Sequence, residues 1–236
     1  MTTSYMEKVR RIRQSNLVGY WPLNENDLAY TYDWGPNAYN ASATAATAAN
    51  RNIYGKDGGP CFEFDGSTSY VDIYAALASA ITTIGTVSVW VACEKNYLDG
   101  TTLGRIFTMS ADTDNALLIE KTATANTFRL AYIAGGVTVS VSPTITSAEQ
   151  FPKWHHLAIT MTVAGDAVKV YRNGLQSGST QTTLGTWAGA VASTLFTIGS
   201  GSTVPANVFK GWLQHCAMWN AVLTDDEIAD LAKAGP

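Results

Sequence analysis

The stretch of sequence that decides the fold reads HHLAITMTVAGDAVKVYRNG and runs from His155 to Gly174. In its first half, residues 155, 157, 159, 161 and 163 share one face of an extended strand, and the residues between them share the other face. Asn173-Gly174 is the strongest hairpin signal in the chain, because both residues tolerate positive φ. The stretch therefore predicts half-buried antiparallel strands joined by tight turns.

The same period of two continues outward from this stretch in both directions. A dozen or so short strands with no helices between them predict an all-β, two-sheet antiparallel sandwich, and 236 residues suit one such domain. Ala41–Asn50 is rich in Ala and Thr and is predicted to be a long loop. The predicted strands are Leu17–Trp21, Cys61–Asp65, Tyr70–Tyr74, Thr86–Cys93, Arg105–Ser110, Ala116–Lys121, Thr127–Ile133, Val137–Ser142, His155–Val163, Ala167–Arg172, Leu195–Gly199 and Phe209–Asn220.

Both ends of the chain predict a short helix. Ser4-x-x-Glu7 and Thr224-x-x-Glu227 are capping boxes, in which side chains satisfy exposed backbone N–H groups of the first turn. We divide the chain into a basic N-terminal helical arm, residues 1–16, and a sandwich, residues 17–236. The arm carries four cations against one carboxylate, a charge of +3, which leaves −7 on the remainder of a chain whose net charge is −4.

Two interpretations of the arm remain open. Its helix, predicted over residues 5–14, is either a solvated cap on the sandwich edge or a docking arm for an acidic protein partner. Under the second interpretation the partner-binding residues are Met6, Lys8, Val9, Arg10, Arg11, Ile12 and Arg13. Four cations are too few to indicate a nucleic acid, and no apolar run approaches the roughly 18 residues that span a bilayer.

Composition bears on the type of secondary structure and on the cellular compartment in which the chain folds. Charged residues are only 14% of the chain, which suits pleated sheets with small polar outer faces. Cys61, Cys93 and Cys216 each lie in an apolar run and are predicted to be buried thiols. The N-terminus lacks the apolar segment of a secretory signal, so we expect synthesis in a reducing cytosol.

An ordered series of motifs resembles laminin-G-like members of the concanavalin-A-like lectin/glucanase superfamily. The series covers roughly residues 17–235, and the resemblance implies a concanavalin-A-like jelly roll. The motifs are Leu17-Val-Gly-Tyr-Trp-Pro-Leu-Asn-Glu25, Asp33-Trp-Gly-Pro-Asn37, Phe64-Asp65-Gly66 with Tyr70-Val71, Thr86-Val-Ser-Val-Trp90, Trp154-His-His-Leu157, Val170-Tyr171-x-Asn173-Gly174 and Trp219-Asn220 with Leu223-Thr224 and Glu227-Ile228.

The resemblance leaves several functions open. Such domains serve as glycan-binding modules, adhesion domains, decorations on enzymes and parts of phage virions. The short segment that leads into the Gly-Tyr-Trp-Pro strand resembles phage-type members. Our first hypothesis is a non-catalytic phage virion component, a capsid-decorating or fibre-type protein located in the virion and docked on a capsid or tail protein. The alternative is a stand-alone carbohydrate-binding module or lectin, and association of identical chains is left open.

No catalytic residues are predicted. Glycoside hydrolases of this fold carry Glu-x-Asp-x-x-Glu on one strand, whereas Glu63-Phe64-Asp65 lacks the third carboxylate. Asp65 is therefore interpreted as a turn residue that accepts bonds from its own backbone. His155 and His156 face opposite ways on a strand and cannot chelate one ion, so we expect structural roles for them and for His215.

Ligand sites are predicted from aromatic and oxygen-bearing side chains. Trp34, Tyr97 and Trp187 lie in loop-like segments and are the candidate glycan-binding residues, because pyranose faces stack on exposed rings. Trp21, Trp90, Trp154 and Trp219 are assigned to strands and to the core. No cofactor is predicted. Asp33 and Asn37 match the calcium loop of the family, but Gln214 stands where the family's second acidic ligand is expected, so a structural calcium is only left open.

Overall fold

The computed structural model describes residues 4–25, 29–44, 47–48, 55–57, 59–146 and 153–233. Two antiparallel sheets of eight strands each face one another, as the alternating sequence predicts. The elements are α1 (Tyr5–Arg11), β1 (Leu17–Trp21), β2 (Tyr30–Thr31), β3 (Ala41–Thr44), β4 (Thr47–Ala48), β5 (Phe62–Asp65), β6 (Tyr70–Asp72), β7 (Ile84–Ala92), α2 (Lys95–Asp99), β8 (Gly104–Asp112), β9 (Asn115–Lys121), β10 (Phe128–Ala134), β11 (Val137–Val141), β12 (His155–Thr162), β13 (Ala167–Arg172), β14 (Leu175–Gln176), β15 (Phe196–Ile198), β16 (Lys210–Trp219) and α3 (Asp225–Ala232).

Sheet A has the strand order β14-β13-β12-β7-β16-β5-β4, and β1 also pairs with β16. Sheet B has the order β11-β10-β9-β8-β15-β6-β3-β2. The predicted turn at Asn173-Gly174 has positive φ at both residues, 52° and 84°, and joins β13 to β14. Short antiparallel connections of this kind let consecutive strands pair directly, as in β8 to β11.

The main core lies between the sheets and follows the predicted parity. Val87, Val89 and Val91 of β7 face it together with Leu157 and Ile159 of β12. Each of these side chains is fully buried, and removing it from water contributes roughly 1.5–3 kcal/mol. The three cysteines are free and buried, which confirms that prediction.

The outer face of sheet A is covered by the two terminal helices. Both capping boxes form, with Ser4 and Thr224 each accepting from the N3 backbone N–H. Tyr5 and Val9 of α1 and Ile228 and Leu231 of α3 are buried on the outward side chains of the sheet, Trp90 and Trp219 among them. This second apolar layer explains why the outward tryptophans of sheet A are buried as deeply as the core.

The outer face of sheet B lacks a comparable helical layer among the described residues. Its register places one row of outward side chains across seven strands, in the order Tyr30, Ser42, Asp72, Thr197, Thr108, Leu118 and Ala131. The loop from Ser200 to Asn207 folds back over Thr197 and Thr108, whose hydroxyls both donate to the Ser200 carbonyl. Beside this loop a groove follows the outer face of β8, β9 and β10, and the outward side chains of Ala116, Leu118 and Ala131 are buried.

Four details differ from the prediction. Residues 41–44 form strand β3 where a loop was predicted, because small polar residues give no alternation to detect. α1 ends at Arg11 and not at residue 14, since Arg13 adopts a left-handed conformation and a 3-10 turn follows at 14–16. The predicted strand Tyr70–Tyr74 ends at Asp72 and gives way to a 3-10 helix over 74–79. A short helix, α2, follows β7.

In the described ranges no helix is long and apolar enough to cross a bilayer.

Candidate functional site: exposed aromatic side chains and an open groove

Three exposed aromatic side chains follow one another at alternate positions on the edge of the sandwich. Tyr30, Tyr32 and Trp34, here called the aromatic strip, expose 51%, 47% and 45% of their surfaces. Thr31 and Asp33 between them are buried. Exposed and buried side chains therefore alternate over residues 30–34, of which Tyr30 and Thr31 belong to strand β2.

Hydrogen bonds to two carboxylates hold the backbone of the strip. Glu25 Oε1 accepts a hydrogen bond from the Thr31 hydroxyl at 2.9 Å and another from the Tyr32 N–H at 2.8 Å. The Asp33 carboxylate accepts from the N–H groups of Tyr20, Gly35 and Tyr39 at 2.7–2.9 Å. The backbone beneath the rings is therefore fixed before any ligand arrives.

The same contacts bear on the structural calcium site that the sequence left open at Asp33, Asn37 and Gln214. Both carboxylate oxygens of Asp33 already accept N–H donors, and the Asn37 side-chain amide donates to the Val18 carbonyl at 2.8 Å. Gln214 Oε1 accepts from the Lys56 N–H. The described part of the chain holds no group of three or more His, Cys, Asp or Glu suited to a metal ion. A calcium ion prefers several carboxylates, so these residues do not fit one.

Trp34 is the one predicted glycan-binding residue with a largely exposed ring. Trp187 stacks on Tyr132 of β10 at 6.0 Å between ring centroids, and its Nε1 donates to the Gly189 carbonyl. Tyr97 lies on α2, partly buried, with its ring edge-on to Phe209 at 5.7 Å. Because β10 and β2 are six strand spacings apart, roughly 29 Å, Trp187 and Trp34 do not form one site.

The N-terminal helix packs on its own chain. Val9 is 1% exposed, and Met6 and Ile12 are partly buried in the same cluster, so the predicted partner-binding stripe is already covered. The Ile12 carbonyl accepts from Trp219 Nε1 at 2.9 Å. This geometry is that of a cap on sheet A, and partner binding through Met6, Val9 and Ile12 stays a prediction.

The cations of the helix divide into two groups. Lys8 contacts Asp230 of α3, and Arg13 Nε donates to Glu227 at 2.8 Å. Arg10 and Arg11 are exposed and form no ion pair with any described residue. Arg10 also lines a small recess of about 40 Å³ next to Trp34. Partner binding through Arg10 and Arg11 stays a prediction.

A groove of about 540 Å³ lies on the outer face of sheet B. Its floor consists of outward side chains from β8, β9 and β10, including Ser110, Leu118 and Ile133. Its wall is the loop from Ser200 to Asn207, which is braced by the hydroxyl of Ser200, a fully buried residue, on the Ser202 and Ala206 carbonyls. The groove is therefore shaped by paired backbone groups on a rigid sheet.

One end of the groove carries a buried ion triad. Glu120, 1% exposed, accepts from Arg129 Nε at 2.6 Å, and its other oxygen lies 2.8 Å from Arg105 Nη1 as an ion pair without hydrogen-bond alignment. Burial lowers the pKa of the Arg105 guanidinium, and Glu120 acts in the opposite direction. An arginine guanidinium does not lose its proton in proteins, so both groups are cations. Two cations share one carboxylate, so the triad has a net positive charge.

A second polar cluster resembles a catalytic triad in its connectivity. His215 Nδ1 is 2.7 Å from the Tyr20 hydroxyl, and Nε2 is 3.3 Å from Asp57 Oδ2. His215 lies at a bulge of β16 with φ 55°, and its N–H donates to the Pro22 carbonyl. Burial lowers the pKa of His215 and raises that of Tyr20 well above its ordinary value. Since Tyr20 is fully buried, its hydroxyl is not placed to attack a substrate.

The remaining candidate groups are also structural. Asp65 Oδ1 accepts from the N–H groups of Ser67, Thr68 and Ser69, which confirms its interpretation as a turn residue. His156 Nε2 lies 2.9 Å from the Ser88 hydroxyl in a fully buried pair beneath α1, and burial lowers the pKa of His156 to about 3. His155 faces the core side, with Phe128 at 6.2 Å between ring centroids.

Sequence reasoning missed Tyr30, Tyr32, Arg105, Glu120 and Arg129. The two tyrosines could have been found from the pattern Tyr-x-Tyr-x-Trp over residues 30–34, which alternates large aromatics with small or acidic residues. The triad gave no local signal, because its members lie on three strands and meet only through the register Arg105 to Glu120 to Arg129.

Comparison with solved structures finds this sandwich in proteins of different activity. The chain is 21% identical to domain 4 of AbnA, a GH43 extracellular arabinanase from Geobacillus stearothermophilus, solved with arabinotriose; the match covers 92% of this chain and 98% of that domain, with a TM-score of 0.63. It is 15% identical to the botulinum neurotoxin serotype D binding domain, covering 95% of this chain, with a TM-score of 0.67. A Trypanosoma rangeli sialidase matches at 15% identity and a TM-score of 0.63, over 94% of this chain and 33% of that one.

These identities are low enough that the likeness shows the fold alone. The chain spans about half the length of the neurotoxin binding domains it matches, 52% in the case of serotype D. None of the curated proteins matches it in sequence. The family model described as the concanavalin A-like lectin/glucanases superfamily, of laminin-G type, matches residues 65–229, well over half of the chain. The chain therefore belongs to the concanavalin A-like lectin/glucanases superfamily.

Proposed function

We propose that this protein is a non-catalytic carbohydrate-binding module whose aromatic strip stacks on sugar rings. The observation that carries the proposal is the exposure of about half of each ring at Tyr30, Tyr32 and Trp34. Large aromatic side chains are normally buried, and contiguous exposed ones mark interaction surfaces. Solved relatives in fold include a domain in complex with arabinotriose and a neurotoxin binding domain in complex with N-acetylneuraminic acid.

The chemistry of the strip suits a saccharide. Aromatic rings bury a large area against the C–H face of a pyranose, and the tyrosine hydroxyls remain available for hydrogen bonds to sugar hydroxyls. The bonds from Glu25 and Asp33 fix the segment, so little conformational entropy is lost when a ligand binds. Arg10, beside Trp34, adds a donor at one end.

The non-catalytic part of the proposal rests on the polar clusters. The hydroxyl that completes the Asp57–His215 pair belongs to buried Tyr20, and Asp65 is committed to its own turn. Glycosidases need two carboxyl groups flanking one bond, and Glu63 is followed on its strand by this turn residue. Incubation with bound glycans and product analysis by mass spectrometry tests this part, and the appearance of cleavage products would overturn it.

Binding is tested by screening the full chain on a glycan array and measuring the best ligand by calorimetry. We expect Trp34→Ala to weaken binding about tenfold, because loss of one stacked ring costs about 1.4 kcal/mol. Leu175→Ala is the matched control, since Leu175 is 75% exposed on β14 of the other sheet. Absence of any glycan ligand, or equal effects of both variants, contradicts the proposal.

A second candidate function is assembly into a phage virion through the basic face of α1. It is supported by exposed Arg10 and Arg11, which form no ion pair with a described residue, on a helix that is firmly packed on the sandwich. An acidic surface of a capsid or tail protein would complement these cations. Arg10→Glu combined with Arg11→Glu should abolish incorporation into particles without unfolding the domain. Normal incorporation of the folded double variant would rule out this mode of docking.

A further inference from the structure

We propose that the groove on sheet B is a second ligand site, which binds the carboxylate of an acidic oligosaccharide between Arg129 and Arg105. The proposal shares with the proposed function only the class of ligand. The groove is a different surface, because Tyr30 and Thr108 are four strand spacings apart on sheet B, roughly 19 Å. The wall loop lies between the two surfaces.

The charge of the triad favours an anion. Glu120 engages only Nε of Arg129 and Nη1 of Arg105, whereas each guanidinium offers five N–H donors in a planar fork. The Arg129 and Arg105 side chains are 32% and 19% exposed and line the groove. A carboxylate is the anion whose two oxygens match a guanidinium edge, and it would replace the water now available to the uncompensated charge.

The position of Glu120 restricts the side-chain conformations of Arg105 and Arg129. Glu120 is buried beneath them on the central strand β9, so its two ion pairs hold both cations at the sheet surface. A surface arginine would lose side-chain entropy on binding an anion, and these two have already lost much of it. The arrangement thus combines one excess positive charge with a preset geometry.

The rest of the groove suits hydroxyls and C–H groups. Leu118 and Ile133 provide apolar floor, and Ser110 and Asp112 lie towards the end of β8 far from Arg105. Arg105 and Asp112 are seven residue steps apart along β8, so the two ends are roughly 20 Å apart, a length for an oligosaccharide and not for a single sugar. Asp112 Oδ1 accepts from the Asp114 N–H and from the Asn115 side chain, both at 2.9 Å, which holds the carboxylate in its turn. Its negative charge repels a carboxylate and so orients the acidic group of the ligand towards the arginines.

The wall is preformed. The Gly201 N–H donates to the Ala206 carbonyl at 2.8 Å, the Thr203 N–H donates to the Thr194 carbonyl at 2.9 Å, and the Arg105 N–H donates to the Asn207 carbonyl at 2.7 Å. This last bond ties the wall directly to the strand that carries the cationic end. A ligand in the groove would therefore contact the loop and Arg105 as one rigid unit.

The test compares oligogalacturonate with the same oligomer after chemical reduction of its carboxyl groups, by calorimetry on the full chain. We expect the acidic oligomer to bind at least tenfold more tightly than the reduced one, with an affinity that falls as salt is added. Arg129→Ala should remove that preference, and Arg11→Ala, the same charge change on the opposite sheet, should leave it intact.

Further variants distinguish loss of the groove site from unfolding of the protein, and binding in the groove from binding at the aromatic strip. Arg129→Lys keeps the charge and should still lose most of the affinity, because a point charge cannot form the bidentate contact. Leu118→Trp fills the floor and should block binding in a protein that unfolds cooperatively. Trp34→Ala should leave the preference for the acidic over the reduced oligomer unchanged, because the aromatic strip is a different surface.

The outcomes that overturn the proposal are distinct. Equal affinity for acidic and reduced oligomers refutes recognition of the carboxylate. Sensitivity to Trp34→Ala but not to Arg129→Ala moves the ligand to the aromatic strip, which keeps the proposed function and removes the groove site. Equal binding of polyglutamate shows that the groove takes an acidic peptide, and the saccharide assignment then fails.

Discussion

Shortening the side chain of Val9 tests whether α1 is part of the folded domain. Val9 is 1% exposed beneath the helix, in a cluster with Trp90, Trp219 and Leu231. Val9→Ala removes two carbons, each worth about 0.8 kcal/mol, and the cavity adds to this, for about 2 kcal/mol. The better helix propensity of Ala returns about 0.5 kcal/mol, which leaves a net loss of about 1.5 kcal/mol.

Thermal unfolding followed by circular dichroism measures this loss. In a domain of this size 1 kcal/mol corresponds to roughly 2–4 °C, so Val9→Ala should lower Tm by about 3–6 °C. Arg11→Ala on the same helix is the control, because an exposed side chain without a partner should change stability by less than about 0.5 kcal/mol. If both variants melt within a degree of each other, α1 is not packed on sheet A in solution and the free docking arm regains support.

Three further predictions follow from single contacts. His156 is neutral when folded, with a pKa of about 3, and takes up a proton near pH 6.5 when unfolded, so its contribution to stability is full above about pH 6.5 and is lost at about 1.4 kcal/mol per pH unit below it. In denaturant titrations the free energy of unfolding of the wild type should therefore fall more steeply than that of His156→Gln between pH 6.5 and pH 4. A difference between the two proteins that stays constant over this range would refute a buried neutral imidazole. Glu120→Gln removes the charge that two partly exposed guanidinium groups share and should lower the free energy of unfolding by about 1.5–3 kcal/mol, whereas a loss below about 0.5 kcal/mol would mean that solvent already screens the triad. Tyr5→Phe removes the acceptor of the Trp90 indole N–H and should cost about 1–3 kcal/mol in the same assay; an unchanged midpoint would show that water satisfies this indole.

The sequence predicts the sandwich well because strand parity is a local property. Alternation over residues 155–163 places Leu157 and Ile159 in the core, and the same holds for Val87, Val89 and Val91. The capping box at Ser4 predicts the start of α1 to the residue. Where composition is uniform the pattern disappears, and strand β3 at residues 41–44 was missed for that reason.

The candidate site was predicted less completely, because exposure and cross-strand register depend on tertiary structure. Trp34 and Trp187 both lie in loop-like segments, yet the Trp187 ring stacks on Tyr132 whereas the Trp34 side chain is 45% exposed. The Arg105–Glu120 pair depends on a register that shifts at a bulge between Arg105 and Phe107. Local periodicity carries no information on such a shift.

The central claim is that a glycan stacks on the aromatic strip, and the indole N–H signals of the seven tryptophans test it most directly. The chain is labelled at the tryptophan nitrogens, the Trp34 signal is assigned as the one missing from Trp34→Ala, and the best glycan from the array is titrated while the spectrum is recorded. Saturable movement of the Trp34 signal, with the buried Trp21 and Trp219 signals unchanged, is the predicted result. A bound glycan that leaves the Trp34 signal in place would contradict the account.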